Sequence, residues 1–208
     1  VLIQDKYFKM LLELVKNYRI ILGSASPRRR ELLKGLGLNF DVEVNGEISE
    51  EYTPDDEPYD VPVILSQRKA SHFHRNLLEN EILITADTLV ICDGIILGKP
   101  TGRESAFEML KILSGKPHDV VTGVTLRNSR LIESFGCTTK VFFKELSDCE
   151  IDYYIDNYSP YDKAGAYGVQ EWIGYNAITR IEGSYFNVVG LPVQMLSEKL
   201  SEFILKLR

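Results

Sequence analysis

At 208 residues, with 44% hydrophobic residues spread along its whole length, the chain is long enough to bury one sizeable core. A net charge of −6 argues against broad binding to nucleic-acid duplexes, so any anion it takes must meet positive charge gathered locally. No apolar run reaches the ~18 residues that a membrane span needs, and Val1 to Leu14, lacking a basic start and a small-residue cleavage site, does not read as a secretory signal. The cysteines Cys92, Cys137 and Cys149 form no CxxC pair and read as reduced thiols, which fits a cytoplasmic protein.

In chain order, Phe8, Leu11, Leu12, Val15 and Tyr18 share one face of an amphipathic N-terminal helix. Arg19 to Leu22 is a short strand ending at a glycine. Ser26 then caps a helix opened by Pro27, continued by Leu32, Leu33 and Leu36 and ended by Gly37. Phe40 to Val44 predicts a second strand, followed by an exposed acidic loop over 46–60. A helix is expected from Val63 to Leu78 and a buried strand from Glu81 to Ala86. Asp93-Gly94 then joins two short strands, Leu89 to Cys92 and Ile95 to Leu97, as a hairpin.

Ala106, Met109, Leu110 and Leu113 make a helical face closed by Ser114-Gly115. Two long strands follow, His118 to Leu126 and Leu131 to Phe143. Ser147 with Glu150 forms a capping box. A late strand pair is expected at Ala177 to Ile181 and Phe186 to Val189, before a last helix opened by Pro192. Strands that come both singly between helices and in hairpins predict an α/β protein with a mixed sheet and flanking helices.

Four segments carry chemistry. Gly23-Ser24-Ala25-Ser26-Pro27-Arg28-Arg29 feeds a helix N-terminus, where unpaired N–H groups, two hydroxyls and guanidinium forks suit a phosphate. A capped helix with a solvated basic turn would read the same way, and the Walker pattern is absent. Asp87, in Ala86-Asp87-Thr88, is expected at the exit of the most apolar strand, suited to a divalent cation or to a proton from attacking water. Lys99, between Gly98 and Pro100, offers a point charge on a stiff loop, and Lys69 lies in a helix. In Asp162 to Gln170, small residues allow close backbone approach, and the Gln170 amide can pair with uracil or thymine, or with adenine's other edge.

In this order these segments, with Lys69-Ala70, Gly98-Lys99-Pro100, Ser114-Gly115, His118, Thr122-Gly123-Val124 and Gly190-Leu191-Pro192, resemble the Maf family of nucleotide pyrophosphatases. The resemblance spans a single domain over 19–208 and leaves residues 1–18 as a helical extension that most members lack. It implies a fold related to inosine triphosphate pyrophosphatases, with two lobes around a cleft. It makes Asp87 the proton acceptor and Ser24, Arg28, Arg29, Lys69 and Lys99 the phosphate-binding positions. Glu50, among the neighbours Glu47 and Glu51, becomes a metal ligand beside Asp87. Arg28, Thr88 and Gln170 match base-selecting positions of the branch acting on dTTP and UTP. It further implies hydrolysis to a monophosphate and pyrophosphate with Mg²⁺ or Mn²⁺, a role in nucleotide-pool sanitation, and a homodimer. A non-catalytic nucleotide sensor linked to cell division would keep the basic loop but need no Asp87.

Overall fold

The structure, a computed structural model, describes residues 11–44, 46, 48–49, 51–53 and 55–208. Its elements are a helical segment at 11–15 (α1), β1 (Arg19–Leu22), α2 (Pro27–Gly35), β2 (Phe40–Val42), α3 (Val61–Ser71), β3 (Glu81–Cys92), β4 (Ile95–Leu97), α4 (Arg103–Leu113) and β5 (Pro117–Arg127). They continue with β6 (Ile132–Phe143), α5 (Asp148–Tyr158), a 3-10 turn at Ala164–Ala166, α6 (Trp172–Ala177), β7 (Ile178–Glu182), α7 (Tyr185–Val189) and α8 (Val193–Leu207). Among the described residues the strands form one sheet in the order β2-β1-β3-β5-β6-β7, with β4 also paired to β3. β1 runs parallel to β2 and β3, and the other pairs are antiparallel, giving the expected mixed sheet.

Alternation along β3 sends its side chains to two differently covered faces. On one face, Ile82, Ile84 and Ala86 join a core with Leu11, Leu14, Leu33, Leu200 and Phe203 from α1, α2 and α8. Further along, Val90 and Cys92 join a second core with Leu110, Ile151 and Tyr154 from α4 and α5. On the other face, Leu83 packs with Ala70 of α3, while Leu89 packs with Val61 and Leu65. Between these apolar patches, mid-strand, stand Thr85, Asp87 and Thr88. The apolar cover thus divides into two lobes, with polar side chains at the divide.

Three expectations change. The strand expected to end at Ala86 continues unbroken to Cys92, so Asp87 lies within a strand rather than at its exit, opposite Gly123. The helix expected to reach Leu78 ends at Ser71, where the Arg127 guanidinium takes the carbonyls of Ala70 and Ser71. The segment expected as a strand at Phe186 to Val189 is helical: Ser184 caps it, and the buried Asn187 amide donates to the carbonyls of Val120 and Cys137, a tertiary anchor that overrides β-propensity. β7 pairs with β6 instead. Other local signals hold. Ser26 caps α2, Ser147 and Glu150 complete their capping box, and Asp93 and Gly94 both adopt positive φ, 50° and 79°, as a two-residue hairpin turn requires. All three cysteines are free. No helix among the described residues is long and apolar enough to cross a membrane.

His118, 2% exposed in the second core, meets the rings of Phe143 and Tyr167 edge-on and shares a 2.9 Å hydrogen bond between Nε2 and the Tyr167 hydroxyl. Burial pushes its pKa down from 6.5 to about 4. The unfolded chain takes up this proton as pH falls through 6.5, but the folded chain does so only near 4. Stability contributed by the neutral ring is therefore complete above pH 6.5 and is lost progressively toward pH 4. The loss amounts to about 3 kcal/mol. Urea unfolding at pH 7 and pH 4.5 should show it, and His118→Phe should flatten this part of the pH dependence; an unchanged slope would refute the assignment.

Candidate active site

The site begins as a gap in the sheet. β1 pairs with β3 only from Glu81 to Ile84, and β4 pairs with it only from Val90 to Cys92. On this edge Thr85 to Leu89 have no neighbouring strand among the described residues. A cleft of about 1190 Å³ opens there, lined by Ser24, Arg28, Arg29, Lys69, Asp87, Thr88, Lys99 and Gln170. The gap lets side chains from both faces of the sheet line one cavity. It therefore gathers every expected site residue except Glu50, which lies outside the described residues.

The loop after β1 starts with the Gly23 N–H still on the Ile84 carbonyl at 2.8 Å, then leaves the sheet for α2. Ser26 Oγ accepts from the Arg29 N–H and Pro27 has no N–H, while the first turn of α2 carries no acidic side chain. Among the described residues the N–H groups of Ala25 and Arg28 meet no protein acceptor. These donors, at the positive end of the helix dipole, suit an anion from outside the chain. Ser24 Oγ accepts from the Ser26 N–H and from Arg29, leaving its own proton without an acceptor among the described residues.

Arg29 turns inward. Its Nε donates to the Gly190 carbonyl at 3.0 Å, Nη1 to the Ala86 carbonyl at 2.8 Å and to Ser24 Oγ at 3.3 Å, and Nη2 to Thr88 Oγ1 at 3.1 Å. The Ala86 carbonyl is one that the missing strand leaves unpaired, and Arg29 satisfies it. Four N–H groups of this guanidinium thus tie the loop to β3 and to the end of α7. That gives Arg29 a structural task which the sequence does not suggest. Thr88 joins the same cluster through a 2.9 Å hydrogen bond to Thr122.

Asp87 is 7% exposed, and its Oδ1 accepts a short hydrogen bond from Lys69 Nζ. α3 brings Lys69 here because its backbone rides directly on β5. A Cβ at Gly123, the residue paired with Asp87, would lie 2.2 Å from the Pro62 carbonyl carbon and oxygen. Ser66 fixes the register, its carbonyl accepting from Thr85 at 2.7 Å and its hydroxyl pairing with Thr125 at 2.8 Å. Arg68, the residue before Lys69, donates to the carbonyls of Ser49 and Glu51, binding part of the acidic loop to α3. Lys99 and Gln170 are exposed side chains on the far wall of the cleft, after β4 and after the 3-10 turn.

A family model described as Maf-like protein matches residues 19–203. A dTTP/UTP pyrophosphatase of Porphyromonas gingivalis is 50% identical over 195 residues, covering 93% of this chain and 98% of that protein. Proteins of the same name from Phocaeicola vulgatus and Flavobacterium johnsoniae are 47% and 45% identical, covering 92% and 94% of this chain and 100% of each relative. The chain belongs to the Maf family.

This Maf cleft also holds residues that the sequence left without a role. Asp162 and Lys163 stand within the small-residue segment 162–170, but nothing local shows that Asp162 reaches Arg28, 134 positions away. Tyr52, in the acidic loop, lines the cleft as well, and a lone tyrosine among acids carries no sequence signal. The donor set bears on a divalent cation. Among the described residues no three of His, Cys, Asp and Glu converge. Asp87 Oδ2 has no hydrogen-bond partner there either. Mg²⁺ is usually held by one or two carboxylates together with substrate phosphates, so Asp87 fits a cation that arrives with a triphosphate.

Proposed function

We propose that the chain is a nucleoside triphosphate pyrophosphatase that hydrolyses dTTP and UTP to the monophosphate and pyrophosphate. Support comes from one observation above all. A mid-strand carboxylate, Asp87, is paired with Lys69 in the same cleft that is lined by Ala25 and Arg28, whose N–H groups meet no acceptor among the described residues. An anion-binding helix terminus alone would serve a sensor equally well. Binding alone has no use for a buried carboxylate in that cleft, whereas proton transfer does.

In this reading the triphosphate lies against the α2 terminus, with Ser24, Arg28 and Lys99 meeting its oxygens. Water attacks the α-phosphorus, its proton passes to Asp87, and the bond from that phosphorus to the bridging oxygen breaks, releasing pyrophosphate. Lys69 holds the carboxylate in place and offsets charge growing on the phosphorus oxygens. Mg²⁺ or Mn²⁺, held by Asp87 and Glu50, would neutralise phosphate charge when bound. Arg28, Thr88 and Gln170 select the base, the Gln170 amide donating to a carbonyl and accepting from the ring N–H of uracil or thymine. The enzyme works in the cytoplasm as a homodimer, and its role is to clear pyrimidine triphosphates, modified ones included, from the nucleotide pool.

Incubation with each triphosphate and Mg²⁺ in ¹⁸O-labelled water tests the reading. Pyrophosphate rather than orthophosphate should appear, with the label in the monophosphate. UTP and dTTP should exceed CTP and GTP in kcat/KM by about 10–100-fold, the worth of one well-made bidentate contact. Orthophosphate release would make the protein a phosphomonoesterase. Tight binding without turnover would make it a sensor.

A further inference from the structure

Arg28 is held from across the cleft. From the first turn of α2, its Nη1 donates to Asp162 Oδ2 at 2.8 Å and its Nη2 to the Asp162 carbonyl at 3.4 Å. Asp162 is held in turn: its Oδ1 accepts from Lys163 Nζ at 2.6 Å. Lys163, only 8% exposed, also meets Glu171 Oε1 at 3.1 Å. The other Glu171 oxygen accepts the Tyr154 hydroxyl, whose own oxygen accepts from the Gly168 N–H at 3.0 Å.

This relay starts in the buried core of α5 and ends at the Arg28 guanidinium. On its way it fixes Gly168 and Glu171, two positions before and one position after Gln170. Two of the three groups assigned to the base, Arg28 and Gln170, are thus tied to one polar chain. Two of its members, Asp162 and Tyr154, keep fixed protonation states near neutral pH. Burial works against ionisation of Asp162, but Lys163 and Arg28 outweigh it and hold its carboxyl near 2. Burial keeps the proton on Tyr154, whose pKa lies far above the usual phenol range.

We propose that Asp162 is a specificity-determining positioning residue that fixes the Arg28 guanidinium in one plane relative to Gln170. The proposal rests on Arg28 and Gln170 being the base-reading pair. Asp162 engages two of the five N–H groups of Arg28, which makes no other hydrogen bond among the described residues, so three remain for a ligand. A donor held in place penalises a base that presents an amino group where uracil and thymine present a carbonyl. A donor free to swing aside tolerates both. The discrimination lies in the holding, not in a contact that Asp162 makes itself.

The test compares kcat and KM for UTP, dTTP and CTP in the wild type, Asp162→Asn, Arg28→Ala and the double variant. Asp162→Asn should lower the UTP-to-CTP ratio of kcat/KM roughly tenfold, with the shift carried by KM, as expected for coupled neighbours. In the Arg28→Ala background it should change the ratio no further. The Asp162 side chain is 59% exposed, so substitution should leave the fold intact. Asp162→Glu, which keeps the charge but shifts the fork, should give a smaller change in the same direction. An unchanged ratio in Asp162→Asn, or an equal loss on every base, would overturn the proposal. If Arg28→Ala itself leaves the ratio unchanged, the base-reading role of Arg28 fails as well. If it lowers the ratio and Asp162→Asn does not, only the role of Asp162 fails.

Discussion

Asp87→Asn is expected to lower kcat by about 10²–10⁴-fold, the usual contribution of a positioned general base. Affinity for a non-hydrolysable triphosphate should change far less. Asparagine has the same shape and keeps an oxygen for the Lys69 ammonium, so the strand and α3 remain in register. What it cannot do is accept the water's proton. Because Lys69 and Asp87 are hydrogen-bonded, their effects should not add: Lys69→Met on top of Asp87→Asn should cost much less than Lys69→Met alone. Single-turnover kinetics with UTP, alongside a binding titration, checks both statements. Near-normal turnover in Asp87→Asn would remove the proposed base, and full additivity would separate the pair.

The second large effect is expected at a residue with no side chain. Gly123→Ala would put a Cβ 2.2 Å from the Pro62 carbonyl group and 2.3 Å from the Val63 nitrogen. Both neighbours are helix backbone and cannot turn aside as a side chain could, so α3 must lift from the sheet. Overpacking of this kind costs about 3 kcal/mol. It also moves Lys69 away from Asp87, and a misplacement near 1 Å can reduce turnover by about 10²-fold. Gly136 is the matched control. It sits opposite Gly123 on β6, and its Cβ would stay 3.4 Å from a Val63 methyl, an ordinary contact. Urea midpoints and kcat for Gly123→Ala and Gly136→Ala should therefore differ sharply. Equal effects would show that close packing of α3 on β5 does not set the site.

How far the sequence reached follows from the range of each interaction. Local signals were legible because their physics is local. The Ser26 cap, the Ser147–Glu150 capping box and the Asp93-Gly94 turn involve residues within a few positions of each other, and each stands where its pattern indicates. The ordered motifs likewise marked the residues that line the cleft and the Maf family to which they belong. Signals with two readings were not resolved by pattern. The run Phe186 to Val189 suits a strand or a helical turn, and the Asn187 amide, held by carbonyls about fifty or more positions away, selects the helix.

The site's construction belongs to the same long-range class. Apolar residues on both sides of Asp87 announce a strand, but not whether the strand stops there. The decision comes from β1 and β4, which pair with the two ends of β3 and leave its middle uncovered. The sequence by itself thus determined which residues come to line the cleft and which short elements hold them. Tertiary structure alone decided that Asp87 stands in a gap of the sheet, that Arg29 closes that gap from the protein side, and that Asp162 reaches Arg28. The reason is physical: an unpaired strand edge, a satisfied carbonyl and a cross-cleft ion pair exist only once distant segments have met.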